Sequence, residues 1–352
     1  MYDVKTMKKE KPIIVADVNI PFLKGVLDTK ADVRYLSAEE ITYDKVRDAD
    51  ALIVRTRTRC NEALLENSSV RFIATATIGF DHIDTDYCRS KNIIWKNVPG
   101  CNADSVGQYI ASALCFWAKR EEKSLSNLTL GIVGCGHVGM SVERYAKCLG
   151  MNIVKNDPPK QKTDKENIYV SLETIAETAD VITFHTPLIV DGEYPTFHLA
   201  DSNFFNSLKR KPLIINSARG GVVDERALLK AIELGAVADC VIDCWENEPV
   251  VNRYLLEMSL LATPHIAGYS ADGKANATQA CVRAVSDFFS LGLNNFLVCL
   301  PEKKRIKRDE KLIETLLRNY PIENDSERLK ASPETFEQQR GNYPVRRECV
   351  IE

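Results

Sequence analysis

The chain has 352 residues, 45% of them hydrophobic and 27% charged, with a formal net charge of -3. A chain of that size can bury a sizeable core in two or three domains, and its charge leaves no basic footprint for nucleic acid or an acidic membrane surface. The eleven cysteines are scattered, odd in number and without paired zinc spacing, and no apolar stretch reaches membrane-spanning length. The expectation is therefore a reduced, cytoplasmic globular protein with buried thiols and no metal.

The first ten residues, ending Met7-Lys8-Lys9-Glu10, are polar and read as an extension. Pro12 to Ala16 reads as a buried strand ended by Asp17, Phe22 to Leu27 as a helix-like stretch, and Ala51 to Val54 as the next strand, which is βαβ rhythm. Arg55-Thr56-Arg57-Thr58-Arg59 follows, at the strand end where parallel sheets present ligand groups. Three alternating cations also suit a solvated loop. Phe72 to Thr75 is a further strand, and Ile93 and Ile94 begin a shorter one that stops at Pro99-Gly100. Asp104 to Arg120 has the pattern of a long buried helix able to cross between two lobes.

That helix leads into Leu130 to Gly139, an apolar run that turns into a glycine fingerprint. Gly134, Gly136 and Gly139 fit G-x-G-x-x-G: a tight turn, a close approach for pyrophosphate, and close helix packing. The helix that begins there would face phosphates with its free N–H groups. Met151 to Lys155 reads as the next strand, and Asp157 ends it 18 residues after Gly139, where a carboxylate would meet the adenosine ribose. Pro158 and Pro159 come next, with no adjacent arginine to receive a 2′-phosphate, so the expected cofactor is NAD. The same aspartate could equally just end a strand beside a proline turn.

Three later strands each run into a polar cluster: Val181 to Phe184 into His185-Thr186-Pro187, Leu213 to Asn216 into Ser217-Ala218-Arg219-Gly220-Gly221, and Cys240 to Cys244 into Trp245-Glu246-Asn247-Glu248-Pro249. Leu260 to Thr263 then precedes Pro264-His265-Ile266-Ala267-Gly268-Tyr269. In an open parallel sheet such ends converge, so Arg219, Glu248 and His265 could meet although far apart in sequence. Gly273 to Leu291 reads as a helix returning to the first lobe. The charged run after Pro301 reads as a linker or exposed helix start, and 311 to 352 as amphipathic pieces too short for a domain.

This constellation suits hydride removal from C2 of a 2-hydroxy acid. His265 would take the hydroxyl proton, imidazole being the side chain that titrates near neutrality. Glu248 would fix its tautomer, and Arg219 would grip the substrate carboxylate with two prongs. Were that acid also to carry a phosphate, Arg55 or Arg57 would be its main ligand, with Arg346 or Arg347 a helper across an interface.

The segments GIVGCGHVG, NSARGGVVDE, VIDCWENEP and TPHIAGYS, in that order, resemble the D-isomer-specific 2-hydroxyacid dehydrogenases. ADVNIPF, ATATIGFDHID, PGCNADSV, NDPP, FHTPL and SPETFEQQRGNYPVRRE resemble a branch of that family acting on a phosphorylated acid. The resemblance implies an α/β fold of two parallel-sheet lobes, Rossmann-like and flavodoxin-like, with a small C-terminal dimerisation segment. It places a discontinuous substrate lobe at 12–104 and 280–300, an NAD domain at 105–279, and dimerisation at 301–352. It implies Arg219, Glu248 and His265 as catalytic, and NAD contacts at His137, Val138, Asp157, Thr186, Ser217, Ala218, Asp243 and Gly268 beside the fingerprint glycines. Thr56, Thr77 and Tyr269 would touch substrate, in a homodimer. The family carries serine where Thr56 stands and glutamate where Gln108 stands, and its segment after Pro301 is longer. The alternatives are a related dehydrogenase of another 2-hydroxy acid, or an NAD-sensing binding module of the same fold.

Overall fold

Ala51–Val54, Phe72–Thr75, Val181–Phe184 and Leu213–Asn216 are continuous apolar runs, and each is a strand buried along its whole length. Strands covered on both faces read this way, without polar alternation. They are the centres of two parallel sheets in the structure, a computed structural model that describes residues 11–352. The polar extension at 1–10 lies outside the described residues. Two units form: residues up to Asn102 with Asp272–Pro301, and Ala103–Ala271 with Glu302–Glu352.

The first unit holds β1 (Ile13–Asp17), β2 (Asp32–Leu36), β3 (Ala51–Val54), β4 (Phe72–Thr75) and β5 (Ile94–Lys96), all parallel, in the order β2-β1-β3-β4-β5. Two observations correct the sequence reading. Asp32–Leu36 is an edge strand with no fully buried residue, so its pattern lacks the apolar run that marked the others. Phe22 to Leu27 is not helical but a succession of turns, with Phe22 at φ 63° and Gly25 at φ 85°. The cover it would have given comes from the helix Ala271–Phe289. Its Cys281, Val282 and Val285 pack with Ile20, Leu23 and Leu27 over Ile14, Ala16, Ile53 and Phe72.

The second unit holds β6 (Thr129–Val133), β7 (Asn152–Asn156), β8 (Val181–Phe184), β9 (Leu213–Asn216), β10 (Asp239–Ile242) and β11 (Leu261–Ala262), also parallel, in the order β11-β10-β9-β8-β6-β7. The order reverses at β6, so the switch point lies outside the C-terminal ends of β6 and β8, where α/β sheets bind ligands. The helix Ala103–Arg120 belongs to this unit and packs its apolar face, with the His137–Cys148 helix, on one side of the sheet.

Residues 302–352 pack on the second unit, and the charged run at their start is not a free linker. The charged run contains β12 (Lys304–Ile306), paired in parallel with β13 (Cys349–Ile351). Ile306 and Cys349 are buried, and Lys303 Nζ donates to the buried Glu348 at 2.7 Å. Gln108 gains a structural account here: its amide donates to Tyr145 Oη at 2.9 Å and to the Cys349 carbonyl at 3.2 Å. An ionised glutamate could donate to neither. All eleven cysteines are free, and no described helix is long and apolar enough to cross a membrane.

Because Leu23 is buried against the Ala271–Phe289 helix, Leu23→Ala should cost about 2–5 kcal/mol by cavity formation. Chemical denaturation should show the loss in the transition of the first unit; an unchanged midpoint would mean that the turn segment does not depend on that helix.

Candidate active site

The glycine turn is built by contacts that leave little choice of residue. Gly134 has φ 91°, and a Cβ there would lie 2.8 Å from the backbone of His185. At Gly139 a Cβ would come within 2.2 Å of the Gly134 carbonyl oxygen. Gly136 differs: a Cβ there would meet nothing within 4 Å, so its space faces outward at the N-cap of the His137–Cys148 helix. That helix start has no side-chain cap, and His137 and Val138 carry its first N–H groups. Open space above uncapped donors is the cradle that a pyrophosphate requires.

Asp157 follows β7 and is more than a strand terminator. Its carboxylate accepts from Cys135 N at 2.9 Å, inside the glycine turn, and from Lys160 N at 3.0 Å, at the start of the helix Pro158–Thr163. Lys160 Nζ reaches back to the Cys135 carbonyl at 2.6 Å. At the ends of β8 and β9, Thr186 Oγ1, Ser217 Oγ and His185 Nδ1 are buried without hydrogen-bond partners. Buried polar atoms are rarely left unpaired, and three of them at two adjacent strand ends fit a polar ligand such as the ribose and amide of a dinucleotide. Burial depresses the His185 pKa to about 3, so its ring is neutral. His185 was not singled out from the sequence; its role depends on burial.

Arg219, Ala218 and Ser217 leave β9 together. Gly220 lets this loop approach the loop after β10, since a Cβ would lie 1.9 Å from the Trp245 carbonyl oxygen. Arg219 donates once, to the Ala218 carbonyl at 2.8 Å, and has no carboxylate partner among the described residues. The turn is braced by His198, whose backbone N–H donates to the Gly221 carbonyl and whose Nε2 donates to Glu246 at 2.8 Å. Burial lifts the neighbouring Glu225 carboxyl to about 7, with further lift from Glu246 and Glu248, against the Glu246 N–H that it accepts. Neither His198 nor Glu225 stood out in the sequence.

His265 and Glu248 meet. His265 Nδ1 lies 3.0 and 2.9 Å from the two Glu248 oxygens, and both side chains remain partly exposed. Burial works to raise the Glu248 carboxyl, but the hydrogen bond and charge of His265, the Trp245 N–H and the charge of Arg340 outweigh it, and its pKa falls below the usual range. His265 itself has φ 55°, unusual for a side-chain-bearing residue. Asp243 holds it there. Its carbonyl accepts from His265 N, and its carboxylate accepts from Thr263 Oγ1 at 2.6 Å, Ile266 N at 2.8 Å and Ala267 N at 3.1 Å. Gly268 and Tyr269 continue this turn, and Tyr269 N donates to the Ile266 carbonyl.

Arg346, expected as a phosphate helper across an interface, is used within its own unit. Its guanidinium donates to Ser105 and to the Ala267 carbonyl and lies 4.2 Å from the centre of the Tyr320 ring. That expectation is corrected: the arginine anchors the turn bearing His265.

In the first unit, Thr56 is exposed at the end of β3 and Thr77 lies just past β4. Thr77 Oγ1 donates to the Gly79 carbonyl at 2.8 Å, and Thr75 Oγ1 lies between it and the buried His82 Nε2. Burial lowers the His82 pKa against the opposing charge of Asp81, so a neutral ring donating through Thr75 leaves Thr77 as an acceptor. Arg55 is committed to the buried Asp17, with Nε at 2.9 Å, whereas Arg57 is exposed. Lys274, in the first turn of the Ala271–Phe289 helix, was missed. Burial, and then the like charge of Arg55, depress its pKa.

A family model for the D-isomer specific 2-hydroxyacid dehydrogenase NAD-binding domain matches residues 111–267. The chain is 50% identical over 337 residues to an erythronate-4-phosphate dehydrogenase of Bacteroides thetaiotaomicron, covering 95% of this chain and 97% of that protein. Among solved structures it is similar to an NAD-bound 3-phosphoglycerate dehydrogenase of Entamoeba histolytica (TM-score 0.68, 26% identity, 82% of this chain and 99% of that one). It is also similar to an Aquifex aeolicus D-lactate dehydrogenase complexed with NAD and lactic acid (TM-score 0.66, 25% identity, 82% and 100%).

The second and third glycines of the turn should separate in experiment. Gly139→Ala collides with backbone and should lower the melting temperature, whereas Gly136→Ala should fold normally but bind NAD roughly tenfold or more weakly by filling the phosphate approach. Thermal melts and nucleotide titrations read the two effects; normal NAD affinity in Gly136→Ala would remove that glycine from the site.

Proposed function

We propose, from the premise that this chain belongs to the D-isomer-specific 2-hydroxyacid dehydrogenase family, that it oxidises 4-phospho-D-erythronate to (R)-3-hydroxy-2-oxo-4-phosphobutanoate with NAD, in pyridoxal 5′-phosphate biosynthesis. The observation that carries the chemistry is the two-oxygen grip of Glu248 on His265 Nδ1. The choice of acid rests on the relative that is half identical along nearly the whole chain.

Bound NAD supplies the hydride acceptor. With Nδ1 held by Glu248, His265 keeps Nε2 for the proton of the C2 hydroxyl, and the ionised carboxylate stabilises the imidazolium that results. Arg219, with one internal hydrogen bond, has donors left to fork onto the substrate carboxylate and to polarise the developing carbonyl. The proton then leaves His265 for solvent. We assign NAD contacts to Gly134, Gly136, His137, Val138, Gly139, Asp157, Thr186, Ser217, Ala218, Asp243 and Gly268. His185 joins them as a neutral neighbour, and Asp243 also positions the His265 turn. Thr56, Thr77 and Tyr269 are assigned to the substrate. We assign the phosphate chiefly to Arg57 and Lys274, with Arg55, which holds Asp17 through Nε and Nη2, in support. The reading includes a homodimer in the cytoplasm, which sedimentation of the purified protein and fractionation of cells would test.

Assays with 4-phospho-D-erythronate, 3-phosphoglycerate and D-lactate test the substrate, by the absorbance of the reduced nicotinamide; best efficiency on either of the last two would overturn it. His265→Asn should lose about a hundredfold or more in kcat with NAD binding retained. Near-normal turnover would refute its role as base.

Alanine at Arg57 or Lys274 should cost about 1.5 to 3 kcal/mol of transition-state stabilisation on the phosphorylated acid. D-erythronate, which lacks the phosphate, is the control. Equal losses on both acids, or none, would remove that residue from the phosphate site.

A further inference from the structure

The family model stops at Ala267, and the C-terminal segment beyond Pro301 lies outside it. Yet that segment packs on the turn carrying His265. Arg346 anchors the Ala267 carbonyl, and the Tyr343 ring stands edge-on to Tyr269 with centroids 6.2 Å apart. Tyr343 Oη is in turn fixed by the buried Asp325 at 2.7 Å. Between these anchors, on the helix Phe336–Gly341, sits Arg340.

The Arg340 side chain is 24% exposed, and its nearest carboxylate ion pair, with Glu337, is loose at 3.6 Å. Its Nε is buried without a hydrogen-bond partner. The guanidinium bonds Tyr269 and acts on Glu248 and Cys244 by its charge. A large, half-satisfied cation has thus been brought beside the carboxylate that grips His265 by the C-terminal segment.

Building on the dehydrogenase reading above, we propose that Arg340 is a positioning residue for the Glu248–His265 pair: it holds Tyr269 in place and keeps a positive charge beside Glu248. Burial alone would lower the pKa of Arg340, but Tyr269, Glu248 and Glu337 together raise it, so the cation persists. The pair is faced by Asp243 and Cys244 from the end of β10, Glu225 from its helix, Arg219 from the β9 loop, and Arg340 and Tyr269. Of these, Arg219 and Arg340 are the cations. Of the two, Arg340 is the one whose charge acts on Glu248.

The test replaces Arg340 by glutamine, which keeps donors but removes charge, and by lysine, which keeps charge. In Arg340→Gln the acid limb of the kcat/KM profile should move to higher pH by about half a unit or more, because a pair without its neighbouring cation holds a proton more readily. The value of kcat should fall severalfold with KM for the acid little changed, and Arg340→Lys should restore the limb. A nitrogen-detected NMR titration of the His265 ring, assigned with His265→Asn, should show the same displacement without any turnover. It therefore distinguishes failure of this proposal from failure of the dehydrogenase reading, which the substrate assays on the wild-type protein judge. An unmoved limb and an unmoved ring titration in Arg340→Gln would overturn the proposal. So would a rise confined to KM, which would make Arg340 a substrate ligand. If Arg340→Gln does not fold, Arg340→Lys and Tyr269→Phe decide: normal kcat in Tyr269→Phe with an altered pH limb in Arg340→Lys would also overturn it.

Discussion

The site depends on one buried carboxylate. Asp243 is 1% exposed, and burial raises its pKa against the charge of His265 and the hydrogen bonds of Thr263, Ile266 and Ala267. An acid so placed is tolerable only because those donors surround it. Its return is geometric: the residues after β11 are folded back until His265 adopts a left-handed backbone conformation facing Glu248. Thr263 Oγ1 is shared with Tyr109 Oη at 2.8 Å, which extends the bracing into the long helix Ala103–Arg120. Losing the Asp243 carboxylate would therefore dismantle the turn before it touched any cofactor.

Around that anchor the unit arranges charge unevenly. Glu248 is held ionised and Glu225 is pushed toward neutrality, although both lie in the same group of loops. Burial acts on both in the same direction; what separates them is that Glu248 faces His265 and Arg340, while Glu225 faces other acids. This divergence keeps Glu248 an anion beside His265, while Glu225, lifted to about 7, is partly protonated at neutrality.

Much of this was legible in sequence, for physical reasons. Strands buried on both faces announce themselves as apolar runs, and the glycine turn, Arg219, Glu248 and His265 each follow such a run. Asp32–Leu36 was invisible because an edge strand need not be apolar, and Phe22 to Leu27 misled because its apolar residues are covered by a helix some 250 positions later. Lys304–Ile306 hid inside a charged run because its partner strand lies at the far end of the segment. His185, Lys274 and Arg340 could not be picked out at all: their significance comes from burial and neighbours, not from any local pattern. Arg346 shows the opposite error, a cation read as a free donor that tertiary packing turned into an anchor.

The parallel pairing of β12 with β13 makes residues 307–348 an excursion whose two ends are tied to each other. For such a closed excursion, a change in contour length alters the closure entropy only slowly, about 0.6 kcal/mol for each doubling or halving. The segment can thus be trimmed or extended between its helices over evolutionary time while its fixed ends, and the residues that press on the His265 turn, stay in register.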